Sequence, residues 1–501
     1  MGELAASRDI IVGYEALAWG RHVFDHRDAW AIVEAVDHPN VGIILDSFHS
    51  LSRGIPSDSI RAIPADKIAF VQLADAPKLD MDLLYWSRHF RNFPGQGGLP
   101  VEAYVAEILA TGYTGPLSLE IFNDRFRGWS ADLIAADGLR SLRHVEDAAL
   151  RLLDRPTAAP PPPPHVHPEF VEFAVGDADV PALEAMFGSL GFVRTGIHPT
   201  KAVSRWQAGA VNLVINAEPH GFGHDFHQTH GPSICAVGLV VPDRDAVAAR
   251  AAHLGIRAVD DHDAPGNLAF PALRGIGGSL VYLVGANEVG AMWDAEFTPT
   301  GGVHDDAPLA IDHLAAVVRI EEYLSWQLYW RALFGLQQSF QADVIDPSGL
   351  VLSQPLQSSD GALRITLNAS EALGTLSSRF VEHNLGGGYQ HIALATPDLL
   401  ATADRMVAKA ADILPIPANY YDDIAARFGL DDTRRDALAQ ADILYDADGV
   451  GDYLQLYSRA FRKRFFFEFV ERHEYQGYGA PNASIRLASQ ERYKYAATVM
   501  D

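Results

Sequence analysis

The sequence predicts an α/β region followed by an α+β region: four β/α units, half the number in a closed (β/α)8 barrel, and then a duplicated βαβββ domain. Three observations carry this reading. Short β-branched runs alternate with helical patterns over residues 1–155. Five consecutive prolines, Pro160–Pro164, then interrupt the chain. Beyond them a strand–helix–strand pattern recurs four times.

In the first region IIVGYEAL, VGIILDSFH, KIAFVQLAD and GPLSLEIF read as buried parallel strands, apolar along their length and polar at their ends. RDAWAIVEAVDH, LPVEAYVAEILATG and LRSLRHVEDAALRLLD carry helical periodicity between or after them. A complete barrel needs about 250 residues and eight such units, so residues 1–155 supply half of one. Residues 156–164 form a proline-rich spacer, because such a run prefers extended polyproline II and cannot be helix or central strand.

After the spacer, FVEFAVGDADVPALEAMFGSLGFVRTG and ICAVGLVVPDRDAVAARAAHLGIRAV each read strand, helix, strand. IDHLAAVVRIEEYLSWQLYWRALFGLQQSF and YQHIALATPDLLATADRMVAKAADILPI repeat that order. Such self-similarity marks a repeated fold unit. The halves are expected at residues 165–285 and 308–485, separated by a turn-rich stretch over residues 288–308, with residues 486–501 as a C-terminal tail.

Composition limits the function. The chain has 501 residues, 48% hydrophobic and 21% charged, ordinary for a folded protein of several domains. With 39 Lys+Arg against 64 Asp+Glu, the net charge of −25 argues against nucleic acid or an anionic membrane as the main partner. Cys235 is the single cysteine, so an intrachain disulfide or a multi-cysteine metal site is excluded. A long uncharged apolar run and a signal-peptide pattern are both missing, and a cytoplasmic enzyme with a small-molecule substrate is expected, a homo-oligomer being allowed.

Polar residues close the four strands of the first region: Glu15, Asp46, Gln72 and Glu120. In an α/β barrel, polar groups at the C-terminal strand ends converge on the active-site mouth. Three carboxylates and one amide oxygen suit a hard divalent cation. His49 lies three residues beyond Asp46, and RHFRNFPGQGG adds His89 and Arg91 before a glycine-rich turn. Arg91 is expected to hold a substrate carboxylate in a bidentate fork, with His89 beside the substrate. One such residue alone reads as a loop end or helix cap; four at four successive strand ends read as a site.

The second region places His313 in IDHLAAVV and His391 in YQHIAL, at the starts of apolar strands in near-identical contexts. Glu468 sits inside FFFEFV, where a charge is costly without a partner. Equivalent strands would bring two imidazoles and a carboxylate together, the composition of a facial triad for non-haem iron. Residues 165–285 show no such set; His224, His227 and His230 read as a solvated loop cluster.

The residues VGYEAL, LDSFH, VQLAD, HFRNFPGQG and LSLEIF resemble the sugar-phosphate isomerase/epimerase family of TIM-type barrels, and most closely the bacterial 3-dehydroshikimate dehydratases, in which that barrel is fused to a second metal domain. The resemblance implies Mg2+, Mn2+ or Co2+ held by Glu15, Asp46, Gln72 and Glu120, with His49, Arg91 and Glu120 in catalysis. It covers only the last four β/α units of the barrel, so the chain reads as N-terminally truncated relative to that family. QHIAL, YLQLYS and FFEFVERHEYQGYGA resemble 4-hydroxyphenylpyruvate dioxygenase, a vicinal oxygen chelate-like fold, across residues 165–485. That implies Fe2+ or Mg2+ on His313, His391 and Glu468, with Gln390 and Gln455 near a substrate. Here the family's Asn-Glu-Pro becomes Asn368-Ala369-Ser370 and its closing aromatic becomes Ala483, which favours metal binding over the dioxygenase reaction. The expected activity is conversion of 3-dehydroshikimate to protocatechuate and water in quinate catabolism. An iron dioxygenase, a keto-sugar isomerase or epimerase and a non-enzymatic fragment are the alternatives.

Overall fold

The computed structural model describes residues 1–259, 270–302, 309–339, 341–475 and 477–498. The chain divides into two compact units: Met1–Pro162 with Ala249–Ile256 and Leu324–Leu333, and Pro163–Ala248 with Arg257–Tyr323 and Phe334–Asp501. The two short inserted segments are helical, and sequence patterning had placed them with the second region.

The first unit is built on β1 (Val12–Glu15), β2 (Val41–Asp46), β3 (Ile68–Leu73) and β4 (Leu117–Leu119). They pair in parallel in that order, as consecutive staves of a (β/α)8 barrel do. Ile43, Leu45, Val71 and Leu73 are wholly buried, each gaining about 1.5–3 kcal/mol of apolar burial. Helices His26–Val36, Val101–Ala110 and Ala131–Leu152 cover the sheet; Val33, Val105 and Val145 join its core.

The second unit contains two modules. The first comprises β5 (His167–Ala174), β6 (Val193–Ile197), β7 (Val203–Ala208), β8 (Val211–Asn216), β9 (Ser233–Val241), β10 (Ala258–Val259), β11 (Ala272–Arg274), β12 (Leu280–Gly285) and β13 (Thr298–Pro299). The second comprises β14 (Ala310–Val317), β15 (Gln337–Gln338), β16 (Ala342–Asp346), β17 (Gly349–Gln357), β18 (Arg364–Ala369), β19 (Gly388–Ala395), β20 (Leu444–Ala447), β21 (Asp452–Tyr457) and β22 (Phe466–His473). In each, the leading strand runs antiparallel to the first strand of the following βα unit, β5 to β9 and β14 to β19. The predicted α/β plus duplicated α+β architecture is therefore present.

Three sequence expectations need correction. ADILPI does not form a strand: Pro415 and Pro417 lack the N–H a ladder needs, and helices Ala418–Phe428 and Asp432–Gln440 intervene before β20. His224, His227 and His230 lie on a helix, Gly221–His230, not in a solvated loop; Phe222 and Phe226 give it an apolar face, and His230 is buried. Residues 486–498, expected as a tail, continue the helix Ala480–Thr498, while residues 499–501 lie outside the described residues. Residues 303–308, which held the expected end of the inter-module stretch, lie outside them too. Among the described residues, no helix is long and apolar enough to cross a membrane.

Candidate metal centres

The barrel cluster forms at the carboxyl ends of β1 to β4. Glu15 ends β1, Asp46 ends β2, Gln72 stands beside Asp46 in register on β3, and Glu120 follows β4 with its N–H bonded to the Leu73 carbonyl. Asp46 does two jobs. Its Oδ1 accepts from the His49 N–H at 3.0 Å, capping the short helix Ser47–Leu51, and its Oδ2 accepts from Arg91 at 2.8 Å. That cap holds His49 over the strand ends. Candidate ligand atoms of Glu15, Asp46 and His49 lie within 4.8 Å of one another.

Two buried oxygens in this cluster, Glu15 Oε1 and Gln72 Oε1, have no hydrogen-bond partner. Unsatisfied buried acceptors are costly, and a hard cation satisfies them together. Burial, with the charges of Asp46 and Glu120, pushes the Glu15 carboxyl up to about 7. Burial, then Asp46, likewise raises Glu120 against the lowering pull of Arg91. A set of acids that resists ionising together fits a divalent cation. Burial, then Arg91, pushes His49 down to about 3, so its ring is neutral near pH 7. The Ala18 N–H approaches Nδ1 at 3.2 Å and Arg91 Nη2 approaches Nε2 at 3.3 Å. A neutral imidazole accepts at only one nitrogen, so these contacts alternate with the tautomer.

Arg91 departs from its expected role. It is 1% exposed, and its Nη1 donates to Asp46 Oδ2 and, at 2.7 Å, to Glu120 Oε2, while Nε and Nη2 donate to Ser87 Oγ. The fork is spent on balancing clustered carboxylates and is not presented to a substrate carboxylate. His89 is likewise not brought into the cluster: its Nδ1 pairs with Asp124 at 2.6 Å and its ring lies 4.4 Å from Tyr85. Sequence reasoning missed Asp75, a wholly buried carboxylate that accepts from the N–H groups of Ala76, Gly95, Gly97 and Leu99 and so shapes the PGQGG turn. Its strand-end position two residues past Leu73 was the available signal.

The second centre lies in the second module. His391 Nε2 is 3.2 Å and His313 Nε2 is 3.5 Å from Glu468 Oε2, and the two ring nitrogens are 3.3 Å apart. Register explains the convergence: Ala393 pairs with His313 on one side and Glu468 on the other, and His391 pairs with Ala315. Outer contacts fix two of the three candidate ligands, while His391 Nδ1 is buried without a hydrogen-bond partner. Asp312 Oδ1 holds His313 Nδ1 at 2.8 Å and is itself bonded to Arg472. Gln455 and Tyr457 donate to Glu468 Oε1 at 2.8 and 3.1 Å, leaving Oε2 to face both imidazoles. Such outer-layer anchoring is characteristic of metal ligands. Burial lowers the His313 pKa, but Asp312 and Glu468 outweigh it and raise it to about 9. His391 is pushed down to about 4 by burial against the pull of Glu468. The triad opens into a cavity of about 380 Å³ that also meets Asn368, Gln390, Gln455 and Ala483. Asp312 and Tyr457 were not anticipated, though each lies in a motif the sequence singled out.

Residues 1–145 match the family described as "Xylose isomerase-like TIM barrel", and residues 164–298 match "Hydroxyphenylpyruvate dioxygenase, HPPD, N-terminal". A 3-dehydroshikimate dehydratase of Pseudomonas putida is 44% identical over an alignment of 516 residues, covering 99% of this chain and 80% of the relative. The chain belongs to the 3-dehydroshikimate dehydratase family. A second 3-dehydroshikimate dehydratase, from Pseudomonas aeruginosa, is 41% identical over 98% of the chain and 79% of its own length. A solved structure titled "xylose isomerase-like TIM barrel/4-hydroxyphenylpyruvate dioxygenase fusion protein" superposes with a TM-score of 0.89 at 42% identity, over 98% of this chain and 80% of that one. Within this dehydratase family, likeness to hydroxyphenylpyruvate dioxygenase belongs to the fused second region, so a stand-alone dioxygenase reading of the whole chain falls away.

Proposed function

We propose that the chain is a metal-dependent hydro-lyase that converts 3-dehydroshikimate to protocatechuate and water, with the strand-end cluster of the first unit as its centre. The observation carrying this is the pair of unsatisfied buried oxygens, Glu15 Oε1 and Gln72 Oε1, beside Asp46 and Glu120 in a chain of this family. A divalent metal held by Glu15, Asp46, Gln72 and Glu120 would polarise the ring ketone; the all-oxygen set favours Mg2+ or Mn2+ over softer ions, with Co2+ tolerated.

The remaining chemistry falls to the protein's own groups. The substrate loses the proton of the carbinol carbon next to the ketone, then the β-hydroxyl on the following carbon departs as water. A second proton then leaves the ring methylene while the ketone oxygen takes one up, which makes the ring aromatic. His49 is neutral, with Nε2 3.6 Å from Glu15, and its imidazole takes the substrate proton and later returns it to the departing hydroxyl. Arg91 holds Asp46 and Glu120 in place and keeps the surrounding charge in balance.

The second centre, His313, His391 and Glu468, is proposed to hold a separate divalent ion, Fe2+ or Mg2+. Ultraviolet spectra test the main reading. Mn2+-loaded chain incubated with 3-dehydroshikimate should develop the absorbance of an aromatic product, and Glu120→Gln should lose most of it. An unchanged spectrum with bound metal overturns the assignment.

A further inference from the structure

The first module repeats the backbone of the metal-binding module so closely that its residues can be matched one to one. In β14 and β19 the ladder slips between Ile311 and His313 and again between Ala315 and Ala316. In β5 and β9 it slips between Pro168 and Phe170 and again between Glu172 and Phe173. Two irregularities at identical spacing pin the register. His313, paired with Ala393, corresponds to Phe170, paired with Gly238. Glu468, across from Ala393, corresponds to Tyr282, across from Gly238. His391, opposite Ala315, corresponds to Ala236, opposite Glu172.

All three metal-ligand positions are thus replaced, two by aromatic rings, yet the concavity is not filled. A cavity of about 400 Å³ remains, close to the 380 Å³ of the metal-binding module. Phe170 lies 6.0 Å from Tyr282 and 5.7 Å, edge to face, from Trp293, so its walls are aromatic on several sides. The backbone is adapted to these rings: a Cβ on Gly238 would lie 2.1 Å from Phe170 Cε1.

The charged groups of the wall are mostly engaged. Glu172 accepts from Asn216 at 2.7 Å, Glu296 is 3.3 Å from His198, and Glu218 accepts from the Ala202 N–H. Lys201 also lines the cavity, and it forms no ion pair among the described residues.

We propose that this cavity binds a single-ring aromatic carboxylate, its ring stacked among Phe170, Tyr282 and Trp293 and its carboxylate at Lys201. Its size suits one ring and its polar groups few contacts, as in organic ligand sites generally. Offset and edge-to-face contacts select an aromatic ring over a saturated one. The inference uses nothing of the barrel chemistry and needs no metal.

Calorimetric titration of the full chain, stripped of metal with EDTA, tests it with benzoate, which has no vicinal oxygens for chelation. One binding event per chain is expected. Lys201→Ala should weaken it about tenfold or more, and Val214→Phe, which projects a ring into the cavity, should abolish it. His313→Ala should leave it unchanged, and cyclohexanecarboxylate should bind about tenfold more weakly than benzoate. Binding of protocatechuate with the same sensitivities would identify the ligand as the product of the proposed reaction; binding of benzoate alone retains the site without that link. Absence of benzoate binding, indifference to Lys201→Ala with Val214→Phe folded, or tighter binding of tyramine than of benzoate would overturn the proposal.

Discussion

Phe170 holds in the first module the ladder position that His313 holds in the second, each two residues past a strand partner and just beyond the same bulge. One backbone therefore presents an imidazole of the candidate metal triad at one copy and a phenyl ring at the other. The side chains across the ladder differ to match: Gly238 beneath the phenyl ring, Ala393 beside the imidazole.

Gly238→Ala should consequently destabilise the second unit by about 1–3 kcal/mol, the range for inserting a methyl into a packed site. The new Cβ meets the Phe170 ring, whose nearest atom stands at 2.1 Å. Urea unfolding of the single and double variants decides this. Phe170→Ala in the Gly238→Ala background should recover part of the loss, and strictly additive losses would contradict the contact.

Metal affinity at the barrel cluster should rise with pH and level off above about 7. The Glu15 carboxyl is raised to about 7 by burial, then by Asp46 and Glu120, and must lose its proton to ligate. Below that pH one proton competes with the metal, so affinity should fall about tenfold per unit. Mn2+ titrations at pH 5.5, 6.5 and 7.5 measure the slope, and Glu15→Gln should flatten it.

Arg91→Met should weaken the metal-free first unit by about 3–5 kcal/mol, because it strands the buried Asp46 carboxylate and leaves it facing Glu120 without a counter-charge. Added Mn2+ should restore more thermal stability to this variant than to the parent chain. Equal metal-induced shifts in melting temperature would show that Arg91 does not balance the cluster.

His49→Ala should retain barrel metal while turnover of 3-dehydroshikimate falls about 10²–10⁴-fold, the usual contribution of a positioned acid–base group. Metal counting and initial rates on the same preparation separate these effects. Turnover near that of the parent chain would remove His49 from proton transfer.

At the second centre, the double variant His313→Ala/His391→Ala should lower bound divalent metal by about one ion per chain, leaving the barrel ion in place. Elemental analysis after gel filtration provides the count. Gln455→Leu should weaken that ion without removing it, since Glu468 Oε1 loses a 2.8 Å donor while Oε2 stays in position.

The sequence by itself determined the four strands of the first region and the polar residues at their ends. A buried parallel strand is continuously apolar, and a polar residue closing it is conspicuous, so Glu15, Asp46, Gln72 and Glu120 stand out by residue type alone. The paired contexts around His313 and His391 likewise follow from an internal repeat. Only the tertiary structure decided how charge is distributed among them. Arg91 turns inward because three carboxylates brought to one mouth need a cation, a requirement that does not exist until the strands are side by side. His89, only two residues before Arg91, is drawn to Asp124 across 35 residues of chain. The matching of Phe170 to His313 also lay beyond sequence reading, because it depends on bulges, and a bulge is a relation between two strands rather than a property of either.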